Sequence, residues 1–113
     1  MSRAIILAAL FFASHIATCA AGDAHQQAGL VARGQALVEE KCARCHAIGS
    51  DDESPHAKAP PFRVIVERYP SEDLAEALAE GIVSGHPEMP VFVFESDEIE
   101  AFLAYLDSLA PPF

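Results

Sequence analysis

The sequence predicts an all-α domain with three main helices. Three stretches of the chain place their apolar residues at the spacing of one helix face. Prolines and polar residues interrupt the chain between these stretches, so the helices should be joined by loops that are long for a chain of 113 residues. A chain of this length allows one domain and leaves little room for a second.

The first predicted helix runs from about Ala28 into the segment CARCH at residues 42–46. One side of this helix carries its apolar and small residues, which are Leu30, Gly34, Leu37, Val38 and Cys42. A glycine in the middle of a helix is unfavourable unless the position needs it. Gly34 is therefore expected to serve a close contact.

The second and third predicted helices carry clearer start and stop signals. The second covers residues 71–80, with Ser71 as candidate N-cap and Gly81 as the C-terminal stop. The third follows Ser96 as candidate N-cap and ends at Pro111-Pro112. Their apolar stripes are Leu74, Leu78 and Ile82 in the second helix, and Ile99, Phe102, Leu106 and Leu109 in the third.

The segments between the helices are irregular. Residues 49–59 contain several acids and should form a solvated loop, and residues 84–94 should form an extended loop interrupted by two prolines. Residues 63–69, RVIVERY, are too few for periodicity to choose between helix and strand. Loops of this length in a compact domain are usually functional.

The N-terminus has the features of a secretory signal peptide. Arg3 gives a positive start, residues 4–17 are mostly apolar, and small residues follow. We therefore expect a signal peptide over residues 1–21, a mature domain over residues 22–113, and a periplasmic or secreted protein. Cleavage would remove Cys19 and leave two cysteines. The alternatives are a retained N-terminal anchor, although residues 4–17 are short for a membrane span, and a lipidated Cys19.

The segment at residues 42–46 is the strongest chemical signal. Cys42 and Cys45 stand one helical turn apart, as two thiols must to add across the vinyl groups of a haem, and His46 follows at once as an iron ligand. The motif therefore predicts one covalently attached haem c. The alternatives are disulfide exchange, which does not call for the adjacent histidine, and zinc, which usually needs a second ligand pair.

Met89 is the candidate for the second axial ligand. It is the only methionine outside the predicted signal peptide, and it lies between Pro87 and Pro90 in a polar segment where a core side chain is not expected. His86, three residues earlier, is its main rival. His25 and His56 look exposed, and no role is predicted for them.

The charge of the chain limits its partners. The chain has 17 Asp and Glu against 7 Lys and Arg, for a net charge of −10. Nucleic acid and anionic lipid are therefore disfavoured, and a redox protein with a basic docking surface is expected. We further expect a monomer with no stable membrane span once the signal peptide is removed.

The mature domain resembles the class I monohaem cytochrome c family along nearly its whole length. The matching features, in order, are Gly34 and Val38 before CARCH, Pro60 and Phe62 in APPF, Met89-Pro90, and Phe102, Tyr105 and Leu106. The family often has an aromatic residue where this chain has Val38. The interval from His46 to Met89 is short, as in small bacterial members.

The resemblance implies a cytochrome c-like fold with three main helices wrapped around one covalently bound haem. It implies a one-electron carrier and not an enzyme, with His46 and Met89 on the iron. It also implies that Gly34 lets the last helix approach near Tyr105, and that a proline carbonyl, from Pro60 or Pro61, binds the second nitrogen of His46. Two alternatives remain: a haem subunit of a larger dehydrogenase or oxidase complex, or a peroxidase-like or gas-sensing protein if Met89 is not a ligand.

Overall fold

The computed structural model describes residues 16–111, which form four helices and no strand. The helices are α1 (Ile16–Lys41), α2 (Phe62–Arg68), α3 (Ser71–Glu80) and α4 (Ser96–Leu109). The predicted all-α class is confirmed. Residues 1–15, which hold most of the predicted signal peptide, lie outside the described residues.

Helix α1 begins at Ile16, well before the predicted start near Ala28. Residues 20–29 of this helix are all exposed, so they have no apolar face that packs on the domain. Hydrophobic periodicity detects only helix faces that pack against other parts of the protein, so it did not predict this part of the helix. The predicted cleavage site falls within α1 and remains a prediction. Between residues 16 and 111 no helix combines the length and the apolar character needed to cross a membrane.

The crossing of α1 and α4 is the largest contact between helices. Gly34 is buried there, and a Cβ atom at this position would overlap the carbonyl oxygen of Ala101 and lie 2.7 Å from the Cβ of Tyr105. The close approach expected at Gly34 is therefore present. An ion pair of 3.0 Å between Arg33 and Asp97 lies beside the crossing. Both side chains are exposed, so this pair adds little stability.

The hydrophobic core is drawn from every helix and from the segment before α4. Its buried members are Val38, Phe62, Leu78, Phe94, Phe102, Tyr105 and Leu106. The remaining members of the two predicted stripes pack against these residues: Leu74, Ile82, Ile99 and Leu109. Both stripes are thus confirmed as core-facing.

Both predicted serine N-caps are wrong by one residue. Ser71 and Ser96 are the first residues of their helices, and the N-cap positions belong to Pro70 and Glu95. Glu95 replaces the expected hydroxyl with a reciprocal arrangement, because its carboxylate accepts from the third backbone N–H while Glu98 accepts from the Glu95 N–H at 3.0 Å. Gly81 ends α3 as predicted, with a φ of 105° that favours glycine.

The undecided segment at residues 63–69 is largely helical, since α2 spans Phe62–Arg68. Pro61 precedes it, and the Pro61 carbonyl accepts from the backbone N–H of Ile65 at 3.1 Å. The short helix places Phe62 in the core, where its ring lies 5.4 Å from that of His46 and 5.8 Å from that of Phe102. Helix α2 therefore connects the attachment motif to α4.

Candidate functional site

The attachment segment begins where α1 ends and keeps helical hydrogen bonds. The N–H of Cys42 donates to the carbonyl of Val38 at 2.9 Å, and the N–H of His46 donates to the carbonyl of Cys42 at 2.9 Å. The segment therefore holds Cys42 and Cys45 one turn apart. Both thiols are half-buried and neither forms a disulfide.

Cys42 does not have the character of an exchange-active thiol. Burial raises its pKa to about 11, and the nearby charge of Lys41 only partly opposes this effect. Cysteines that exchange disulfides usually have a lowered pKa, because the thiolate is the reacting form. The disulfide-exchange alternative is therefore disfavoured.

His46 is oriented by one strong hydrogen bond. Its Nδ1 lies 2.7 Å from the carbonyl oxygen of Pro60. A carbonyl can only accept, so Nδ1 is the donor, and in the neutral imidazole the lone pair that can bind a metal is on Nε2. The carbonyl of Pro61 is engaged elsewhere, accepting from Val64 at 3.0 Å and from Ile65. Of the two prolines, Pro60 therefore supplies the acceptor.

The chain just beyond His46 is fixed from three directions. Ala47 donates its N–H to Ser54 Oγ at 2.9 Å, and its carbonyl accepts from the N–H of Phe62 at 2.9 Å. The hydroxyl of Tyr105 donates to the carbonyl of Ile48 at 2.6 Å. Burial raises the pKa of Tyr105, so the hydroxyl keeps its proton for this bond at neutral pH. The sequence pattern gave no sign of this role, because an aromatic at a core position needs no polar partner.

Met89 lies in a turn on a separate segment. Its N–H donates to the carbonyl of His86 at 3.1 Å, and the residue is half-buried. An open cavity of about 310 Å³ lies along this segment, lined by Val83, Ser84, Gly85, His86, Pro87, Met89 and Val91. Val83 and Val91 are 80% and 59% exposed. This segment thus places Met89 in an open cavity beside two exposed valine side chains.

His56 brings the Met89 turn and the attachment segment together. It was expected to be exposed and without a role, but it is half-buried. Its N–H donates to the carbonyl of Cys45 at 3.1 Å, and its Nε2 lies 3.1 Å from a carboxylate oxygen of Glu88. A lone histidine in a polar loop carries no periodic signal, which is why sequence reasoning missed it.

Arg63 is the base of α2 nearest the attachment segment in sequence. In this structure its guanidinium donates to the backbone carbonyl of Asp52 at 2.6 Å and lies 3.9 Å from a carboxylate oxygen of the same residue. Arg63 therefore ties α2 to the acidic loop.

The donor set fits a covalently held haem. Two free thiols stand one turn apart, the next imidazole uses Nδ1 for its hydrogen bond, and the thioether of Met89 lies in a turn that is hydrogen-bonded to His56 through Glu88. Zinc is less well served. Across residues 16–111, no three His, Cys, Asp or Glu side chains come together to hold a metal ion.

Comparison with known proteins agrees with this chemistry. The family model described as "Cytochrome c" matches residues 31–110, which is most of the chain. Neither the comparison with curated proteins nor the comparison with solved structures gave a match. The matched range begins within α1 and covers the attachment segment, the Met89 turn and α4. The chain therefore belongs to the class I cytochrome c family, whose members carry a covalently bound haem and are generally electron carriers.

Proposed function

We propose that this protein is a single-haem electron carrier that passes one electron at a time between redox proteins. Cys42 and Cys45 would hold the haem, and His46 and Met89 would be the two protein ligands of its iron. With both ligands in place, no substrate would bind the metal. The features of residues 1–21 support a periplasmic or secreted location.

The observation that carries the proposal is the hydrogen bond between His46 Nδ1 and the Pro60 carbonyl. It fixes the tautomer and the ring orientation, and it makes Nε2 a stronger donor to a metal. The ring also rests against Phe62, which packs against Phe102 of α4. An imidazole held in this way moves little when the charge of a bound iron changes.

The haem supplies the redox chemistry, cycling between the ferric and ferrous states. The residues of this chain set the conditions for that cycle. A thioether ligand and a buried environment both favour the ferrous form and raise the reduction potential.

Met89→Leu tests the proposed ligand. The variant should lose the weak long-wavelength charge-transfer band of a thioether-ligated ferric haem and should bind cyanide or carbon monoxide. Its reduction potential should fall by on the order of 0.1 V or more, within the range of about 0.8 V that axial ligands span. The measurements are the optical spectrum and a potentiometric titration.

His86→Asn serves as the comparison, because it removes the rival ligand. This variant should keep the charge-transfer band, because the thioether of Met89 is still present, even though its ring contact with His56 is lost. If Met89→Leu left the band and the potential unchanged while His86→Asn altered them, the second ligand would be His86. A wild-type protein that bound carbon monoxide readily would have an open iron site and would favour the peroxidase-like or gas-sensing alternative.

The partner is proposed from charge. Exposed acids lie in the 51–53 loop, in the first turns of α3 and in the first turns of α4. The chain carries a net charge of −10, and the bases near the attachment motif are few: Lys41, Arg44, Lys58 and Arg63. A negative field should steer the protein toward a basic docking surface on a redox partner. The encounter is expected to be between a monomer and its partner.

Ionic strength tests this steering. Oxidation of the ferrous protein by a cationic reagent, tris(phenanthroline)cobalt(III), should slow severalfold as the Debye length falls from about 30 Å to about 8 Å. Oxidation by anionic hexacyanoferrate(III) should speed up over the same range. Asp51→Asn together with Glu53→Gln should flatten both trends, and stopped-flow absorbance measures all of them. If salt instead sped up oxidation by the cationic reagent and slowed oxidation by the anionic one, a local basic patch near the haem would govern docking.

A further inference from the structure

The imidazole of His56 joins two loops that are far apart in sequence. The backbone N–H of His56 bonds to the carbonyl of Cys45, so the residue is tied directly to the attachment segment. Its ring reaches Glu88, which is 32 residues away and next to Met89. Through His56, the Met89 turn is therefore hydrogen-bonded to the loop that follows the attachment segment.

The hydrogen bonds of His56 indicate its tautomer. The backbone N–H of Lys58 donates to His56 Nδ1 at 3.2 Å, so Nδ1 acts as an acceptor. Nε2 is then the ring nitrogen that donates to the Glu88 carboxylate, at 3.1 Å. The contact is therefore a directed hydrogen bond from Nε2.

Two residues of the Met89 turn meet the same ring. Glu88 accepts the hydrogen bond, and the imidazole of His86 packs edge-on against that of His56, with centroids 5.5 Å apart and an interplanar angle of 84°. The N–H of Met89 in turn donates to the carbonyl of His86. The side chain of His56 thus contacts the Met89 turn at two residues, His86 and Glu88.

We propose that His56 is a positioning residue for Met89. By holding Glu88 and His86, it keeps the turn closed over the haem-attachment side, so that the thioether stays within reach of the iron. The inference rests on the proposed function, because it assigns Met89 as the axial ligand. The valines beside the turn, Val83 and Val91, are exposed, so their side chains do not anchor it in the core.

The test is a double-mutant cycle on the haem-loaded protein with His56→Ala and Glu88→Ala. Each variant should speed amide hydrogen exchange at Met89 and cyanide binding to the ferric form by about fivefold, as expected for the loss of one partly exposed hydrogen bond. The double variant should do no more than His56→Ala alone, because that variant already removes both the Glu88 hydrogen bond and the His86 ring contact. Glu88→Gln should keep much of the wild-type behaviour, because its amide oxygen can still accept from Nε2. Exchange within α1 and α4 should not change.

Two control variants match the side chains removed. His25→Ala removes an exposed histidine from α1, and Glu53→Ala removes an exposed acid of equal charge. Neither should alter cyanide binding or exchange at Met89. Unchanged exchange at Met89 in His56→Ala, or faster exchange throughout the chain, would overturn the positioning role while leaving the charge-transfer band of the wild-type protein as support for Met89 ligation. Absence of that band from the wild-type protein would instead overturn the ligation itself.

Discussion

Replacing Gly34 with alanine should lower the free energy of unfolding by about 3 kcal/mol or more, at or above the upper end of the usual range for overpacking. The added methyl group would overlap the backbone carbonyl of Ala101, and backbone cannot rotate aside as a side chain can. Helices α1 and α4 would have to separate, which would loosen the contacts of Val38 and Tyr105. A loss of this size is a large part of the roughly 5–15 kcal/mol that stabilises a small domain.

Helix propensity alone would make Gly34→Ala stabilising by about 1 kcal/mol. A destabilising effect would therefore have to come from the overlap with α4. Gly29 provides the matched control. It lies in the same helix, and a Cβ atom there would meet nothing within 4 Å, so Gly29→Ala should stabilise the protein slightly. Urea denaturation followed by circular dichroism measures both variants. Equal stabilisation in the two would mean that α1 and α4 do not cross as closely as described.

Replacing Cys42 and Cys45 together with alanine should abolish covalent haem attachment. Wild-type protein matured in a secretory compartment should keep its haem through acid-acetone extraction, and its mass should exceed that of the trimmed chain by one haem. The double variant should yield a haem-free chain without a cooperative unfolding transition, because a domain of this size has a small core and would lose its largest component. Mass spectrometry and thermal denaturation test the two expectations.

The single variants separate attachment from folding. Cys45→Ala leaves one thiol for a thioether bond and should retain part of the covalent haem, whereas Cys19→Ala lies outside the motif and should retain all of it. Complete release of haem from the wild-type protein on extraction would contradict covalent attachment. Normal cooperative unfolding of the double variant would show that the protein core is sufficient without the haem.

The parts of the fold that packing dictates were predictable from the sequence. The stripes of α3 and α4 face the core as expected, because apolar residues at helical spacing must be buried together. The beginning of α1 was not predictable, because its exposed residues have no pattern that packing would impose. The N-cap of α4 was missed by one residue because a glutamate pair at positions 95 and 98 performs the role that a serine was expected to perform.

The candidate site likewise has residues that could be predicted from the sequence and residues that could not. The attachment motif is local, so its residues could be read directly from the chain. The acceptor for His46 could be narrowed to two neighbouring prolines by resemblance, and the choice between them depends on which carbonyl α2 uses for its own first turn. Tyr105 and His56 reach residues far away in sequence, with partners 57 and 32 positions distant, and no local pattern encodes such pairings.

The pairing of α1 with α4 also determines how the chain can fold. The Arg33–Asp97 pair beside this crossing joins residues 64 positions apart. The largest contact between helices is thus made by residues distant in sequence, and such contacts raise the contact order of a protein. Closing a flexible loop of that length costs about 4 kcal/mol on logarithmic scaling. A haem bonded at the attachment motif and to Met89 would shorten the free loop before the two ends meet. We therefore expect that a fragment ending before α4 would not fold on its own, because Gly34 and Val38 would lose the α4 residues that bury them.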